Sequence, residues 1–182
     1  MDADLPTDVL FIGGRAGVGK STVAAEVSHL LASNTVHHAL IEGDNLDQAY
    51  PEPWREGVDL AEQNLAAMWK NYRNAGYRRL IYTNTVSVLQ MRPLVAALGG
   101  KVRGVGVLLV ASDETARSRL TRREIGSALD EHVQRSSAAA RQLATEAGPA
   151  VHRVNTDSRT VNEIAHDLVS LTRWLDTQDR PD

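Results

Sequence analysis

VLFIGGRAGVGKST, Val9 to Thr22, decides how the rest of the chain is read. Val9 to Gly14 is a short apolar run that stops on glycines, the pattern of a strand buried on both faces of a parallel sheet. From about Lys20 to Ser33 the apolar residues fall at Val23, Val27, Leu30 and Leu31, which is helical spacing. Between strand and helix, Gly14-Arg15-Ala16-Gly17-Val18-Gly19-Lys20-Ser21 satisfies G-x-x-x-x-G-K-[ST].

That pattern, the Walker A or P-loop, has a physical basis at each position. A chain wrapping a polyphosphate must aim several successive amides inward, through backbone shapes that glycine adopts cheaply. The following helix adds its free N–H groups and the positive end of its dipole. Lys20 places a mobile charge against the terminal phosphates, Ser21 can ligate Mg2+, and Thr22 can reach a phosphate nearer the sugar. Gly13, Gly17 and Gly19 also fit the G-x-x-x-G-x-G turn of short-chain dehydrogenases, with Asp44 holding a ribose hydroxyl. No tyrosine of this chain has a lysine four residues on, however, and that reading leaves Lys20 and Ser21 without a task.

Outward from this stretch the alternation repeats. Strands are expected at HHALIEGD ending at Asp44, at Arg78–Val86, at Val102–Ser112 and at AVHRVNTD before Ser158. A Pro- and Gly-bearing loop (Tyr50–Gly57) precedes a long helix with Leu60, Ala61, Leu65, Met68, Trp69 and Tyr72 inward and Gly76 as its stop. Further helices are expected from Val88 to Leu98, from near Glu114 to about Ala147 with a break around Gly126, and from Val161 to Leu175. The fold class is therefore α/β, a three-layer domain over residues 1–182 with a five-stranded parallel sheet and helices on both faces. Ligands of such sheets sit at the carboxyl ends of the strands, which gathers Gly14 to Lys20, Asp44, Asn84, Ser112 and Asp157 on one rim.

Composition narrows the function classes. The 182 residues include no cysteine, which excludes disulfides, thiolate metal sites and a cysteine nucleophile. A formal net charge of −3 argues against nucleic acid or an anionic membrane as a partner. No apolar run is long enough to span a membrane, and the acidic leader MDADLPTD lacks the basic region of a secretion signal, so a cytoplasmic protein is expected. His37 and His38 point to opposite faces of a strand, and none of the six histidines has metal-ligand spacing.

LIEGDN, Leu40 to Asn45, is the second informative stretch. On the loop after the second strand, Asp44 can face the phosphate cradle and accept the proton of an attacking hydroxyl or hold an acceptor in line. Glu42, two residues back, is the lesser candidate. GGRAGVGKST followed by IEGDNLD resembles the small P-loop kinases: adenylylsulfate kinases, gluconate kinases and, more loosely, chloramphenicol phosphotransferases and shikimate kinases. The resemblance implies ATP and Mg2+ as cofactors, a hydroxyl-bearing small molecule as acceptor, and Asp44 at the acceptor site; at the metal, either Asp44 serves beside Ser21 as well, or Ser21 and the phosphates hold the ion, or turnover is weak. Acceptor contacts are then expected from Tyr50, Trp54, Arg55, Asn64, Asn84 and Arg92. The third strand departs from the common P-loop pattern, ending in the neutral Thr83-Asn84-Thr85 where many such enzymes place a metal-associated acid.

Residues 117–136 have the arginine density of the lid in these kinases. Arg119, Arg122 and Arg123 share a helical face and are candidates to close over the transferring phosphoryl group. By the same resemblance Thr156, Asp157 and Arg159 border the adenine, although capping of the last helix explains Asp157 or Ser158 equally well. A nucleoside monophosphate kinase and a nucleotide-binding protein without phosphoryl transfer are the alternatives. Nothing in the sequence sets an oligomeric state.

Overall fold

The computed structural model describes residues 5–123 and 129–176. Strands β1 (Thr7–Gly13), β2 (Ala39–Glu42), β3 (Arg79–Thr83), β4 (Val102–Val110) and β5 (His152–Asn155) form a parallel sheet in the order β2-β3-β1-β4-β5. Between and after them run α1 (Lys20–Ser33), α2 (Leu60–Asn74), α3 (Met91–Leu98), α4 (Asp113–Arg123), α5 (Leu129–Glu146) and α6 (Val161–Thr172).

Side-chain alternation along β1 explains the layers. Leu10 and Ile12 leave one face and pack with Val23, Val27 and Leu31 of α1 and Ile164 and Leu168 of α6. Val9 and Phe11 leave the other and pack with Leu65 and Trp69 of α2 and Leu94 and Leu98 of α3. On β4, Leu108 is covered by Leu143 of α5 and by Ala147, the residue after that helix. Each of these fully buried side chains contributes roughly 1.5–3 kcal/mol of transfer free energy, so β1 is anchored from both sides and the loop that follows it starts from a fixed point. Trp69 also donates from its indole nitrogen to Thr7 Oγ1 at 3.2 Å, satisfying a buried polar pair.

The chain leaves β1 between its two neighbours, β3 and β4, at the carboxyl end of the sheet, the rim where ligands of such sheets bind. Two backbone bonds carry the β1–β3 pairing past the strand ends: Asn84 N–H to Ile12 O at 3.2 Å and Gly14 N–H to Thr85 O at 3.0 Å.

Local chemistry trims several expected elements. β2 stops at Glu42 because Gly43–Asn45 folds into a 3-10 turn, and β3 stops at Thr83 because the Asn84 side chain accepts from Val86 N–H at 2.9 Å. Turn bonds over Val86–Gln90 delay α3 from Val88 to Met91. Met68, expected inside, is 37% exposed, since it lies roughly 60° round the helix from Leu65. The break expected around Gly126 lies outside the described residues. Among the described residues no helix is long and apolar enough to cross a membrane.

Candidate active site

Residues 14–19 form the turn between β1 and α1, and Lys20 and Ser21 open the helix, so the first free amides of α1 point to the same place as the loop. Gly17 is in the left-handed region at φ +86°, and a Cβ there would stand 2.5 Å from the Ala116 carbonyl of α4. Only glycine lets the loop lie this close to that helix. Arg15 contributes its backbone to the loop while its side chain, 5% exposed, ties the loop down from behind. It pairs with Asp113 and donates to Ser136 Oγ at 2.9 Å and Ser137 Oγ at 3.2 Å. Ser136 Oγ in turn donates to the Ala16 carbonyl at 2.9 Å. The Arg15 guanidinium, by hydrogen bond and charge, holds the Asp113 carboxyl below the usual carboxylate range.

On one side of the loop lies a pocket of about 280 Å3, walled by Gly17–Gly19, Thr22, Arg119, Arg122, Thr156 and Arg159. Arg119 is fixed there by donating to Val18 O at 3.1 Å, Thr156 Oγ1 at 3.0 Å and Thr156 O at 3.2 Å. Its guanidinium plane thus bridges the cradle to the loop after β5 and forms part of this wall. Arg122 joins it, whereas the side chain of Arg123 lies outside the described residues. Arg159 reaches the same pocket and pairs with Asp167 at 2.8 Å. Asp157 faces elsewhere: its Oδ2 accepts from Ser112 N–H at 2.9 Å, a bond that depresses its pKa and ties the ends of β4 and β5 together. The cap of α6 is Thr160, not Asp157 or Ser158. Thr160 Oγ1 accepts from Glu163 N–H at 3.2 Å while Glu163 Oε2 accepts from Thr160 N–H at 2.8 Å.

On the other side, Ser21 Oγ donates to Glu42 Oε2 at 3.1 Å. Strand alternation would have put Asp44 on the same face as Glu42, but the 3-10 turn at Gly43 breaks it, leaving Asp44 exposed on the turn. Gly43 is required at that turn, because a Cβ would run into the Tyr82 hydroxyl. The hard oxygen donors Ser21 and Glu42 beside a phosphate cradle suit Mg2+, which uses one or two protein ligands and takes the rest from substrate phosphates and water. Among the described residues there is no cluster of three or more His, Asp or Glu that would hold a metal ion by itself.

Beyond Asp44 a second pocket, about 340 Å3, is lined by Asp47, Trp54, Asp59, Glu62, Tyr82, Asn84 and Gln90. Tyr82 is buried, and its phenol pKa is pushed up, first by burial and then by the negative charges of Asp44, Glu62 and Asp47. Of the expected acceptor contacts, Trp54 and Asn84 line this pocket. The others sit elsewhere. Tyr50 is 93% exposed outside it. Arg55 lies 4.7 Å from the Trp54 ring centroid and pairs with Glu52 at 3.5 Å. Arg92 is exposed on α3, and Asn64 donates to the Leu46 carbonyl at 2.6 Å, pinning the turn after Asp44 to α2.

Asp47, Glu62 and Tyr82 were missed in the sequence, although a signal was present. From Glu42 to Glu62 there are seven acids and one base, Arg55. The convergence of Asp47 with Glu62 comes from α2 returning over the end of β3, which no local pattern states.

No family model matches this sequence, and no curated protein matches it. Solved structures match it in shape over nearly their whole length. The tunicamycin resistance protein of Deinococcus radiodurans superposes with a TM-score of 0.61 at 18% identity, over 91% of this chain and 95% of that one. A gluconokinase from Sinorhizobium meliloti 1021 gives 0.57 at 21% identity, over 97% and 99%. The shikimate kinase of Acinetobacter baumannii gives 0.57 at 15% identity, over 92% and 93%. At these identities the likeness is one of fold: the chain shares with these proteins an α/β architecture, a five-stranded parallel sheet flanked by helices, consistent with that of P-loop NTPases.

Proposed function

We propose that this chain is an ATP- and Mg2+-dependent phosphotransferase that moves the γ-phosphoryl group of ATP to a hydroxyl of a small molecule. The observation that carries the reading is a Gly-rich loop that walls one pocket and opens α1 with Lys20 and Ser21, Glu42 on Ser21, and a second pocket reached through Asn84, which bonds to the end of β1. In the proposed arrangement the amides of Gly14 to Thr22 hold the phosphates, and Arg119 and Arg122, with Thr156 and Arg159, border the base. Lys20 neutralises the terminal phosphates as charge spreads over the transferring oxygens. Ser21 and Glu42, with Asp44 on the turn that follows, are the residues that would hold Mg2+, which would supply charge neutralisation to the phosphates. Asp44 takes the proton of the acceptor hydroxyl, and Trp54 and Asn84 position the acceptor.

The neutral end of β3 favours one second reading, a protein that binds nucleotide without transferring phosphate. Glu42 weakens that reading, because it brings to Ser21 the carboxylate that β3 lacks. A nucleoside monophosphate as acceptor fits poorly with the carboxylates of the second pocket. The test is ATP consumption with Mg2+ across hydroxyl-bearing metabolites and antibiotics. Turnover should appear only with a matching acceptor and vanish in Lys20→Ala. Turnover that survives that change, or tight ATP binding with no turnover on any acceptor, rejects the transferase.

A further inference from the structure

The two pockets beside the cradle differ in charge, and the difference reaches the identity of the acceptor. Asp47, Asp59 and Glu62 line the acceptor-side pocket, and among its described lining residues there is no lysine or arginine. Asp47 and Glu62 are half-buried, so their fields are less screened than those of surface acids. Burial first, and then the negative charges of Asp44, Glu62 and Asp47, raise the pKa of Tyr82, which also lines the pocket. The neighbouring arginines that could welcome an anion do not line the pocket: Arg55 is matched to Glu52, and Arg92 is exposed on α3. A carboxylate, sulfate or phosphate entering here would meet like charges in a partly desolvated site, which is strongly unfavourable. A protonated amine would meet Asp47 and Glu62, with the exposed Trp54 ring, which already carries Arg55 on one face, beside them.

We infer that the acceptor is a cationic alcohol, a small polyhydroxyl molecule bearing at least one protonated amine, selected by Asp47 and Glu62. The inference rests on the kinase reading and names the substrate class of that same site. In the transfer the acceptor oxygen forms a P–O bond to the γ-phosphorus as the bond to the bridging β–γ oxygen breaks. The acceptor proton passes to the Asp44 carboxylate, ADP departs, and the amine takes no part in the bond changes.

The experiment compares matched acceptors that differ in charge: glucosamine and kanamycin, the N-acetylated form of each, and gluconate. ATP turnover and equilibrium binding in the presence of ADP·Mg2+ are measured for the wild-type chain, Asp47→Asn, Glu62→Gln and Glu62→Lys. The expected result is an amine form favoured over its acetylated partner by roughly tenfold or more, the scale of a charge-assisted hydrogen bond. Asp47→Asn and Glu62→Gln each shrink that preference while leaving ATP affinity unchanged, and Glu62→Lys turns it toward gluconate. Equal or better binding of the acetylated or anionic forms overturns the inference. So does a preference that survives both neutral variants, or failure of every amine in the set to bind. Lys20-dependent turnover of an uncharged or anionic acceptor would overturn the charge assignment alone and leave the transferase standing. Loss of ATP binding altogether would instead reject the transferase.

Discussion

Two pockets of this molecule, one walled by the Gly-rich loop and one over β3 and α2, are of similar size and opposite character. The pocket against α4 and the loop after β5 has Arg119, Arg122 and Arg159 in its wall and, among its described residues, no acid. The pocket over β3 and α2 has Asp47, Asp59 and Glu62 and, among its described residues, no base. A net charge of −3 averages these away and conceals both. The arrangement teaches that the cradle sits on a charge boundary. On the proposed reading, phosphates would be drawn toward the loop and its lysine and repelled from the far side, keeping a polyanion out of the proposed acceptor space.

The comparison can be broken at several points, the largest effect first. Lys20→Ala removes the mobile charge at the boundary and should lower turnover by roughly 100-fold or more, as loss of a transition-state charge donor does. A single-turnover assay measures it. Asp44→Asn should cost roughly 100-fold or more in kcat with ATP affinity intact, measured by steady-state kinetics beside calorimetry. Arg119→Ala unpins the other side: three hydrogen bonds, to Val18 and Thr156, are lost together. ATP Kd by calorimetry should rise roughly tenfold or more, while the KM of an acceptor barely moves.

Smaller effects test the supports behind the loop. Arg15 holds the Asp113 carboxyl below the usual range, so the unfolded state binds the extra proton in acid. That clamp stabilises the fold above the ordinary carboxylate range and is lost as pH falls through the lowered value. Thermal melting of Asp113→Asn should therefore differ from wild type at neutral pH and converge with it in acid. Thr160→Ala removes the capping box of α6 and should cost about 1 kcal/mol of stability without altering either pocket. Denaturant unfolding measures it, and it serves as the control for effects that are merely structural.

Much of the positively charged half was legible in the sequence, because its information is local. β1, the Gly-rich turn and α1 are contiguous, and each residue from Gly14 to Thr22 answers to one step of the same geometry. The negative half was less legible, because it is assembled across the sheet. Glu42 meets Ser21 only through the register of β2 on β3, and the 3-10 turn that puts Asp44 elsewhere depends on Gly43 clearing Tyr82. Arg15 was readable as a loop residue, but its grip on Asp113 and Ser136 joins positions about a hundred residues apart. Arg55 and Arg92 stood among the expected acceptor contacts only while their places in space were unknown.

The most direct measurement is a crystal structure of the chain grown with Mg2+ and a non-hydrolysable ATP analogue. Phosphate oxygens resting on the amides between Gly17 and Ser21, with Lys20 at the terminal phosphate and the base beside Arg119, are the predicted result. A turn with no phosphate on it, or a nucleotide lodged among Asp47, Asp59 and Glu62, would contradict it.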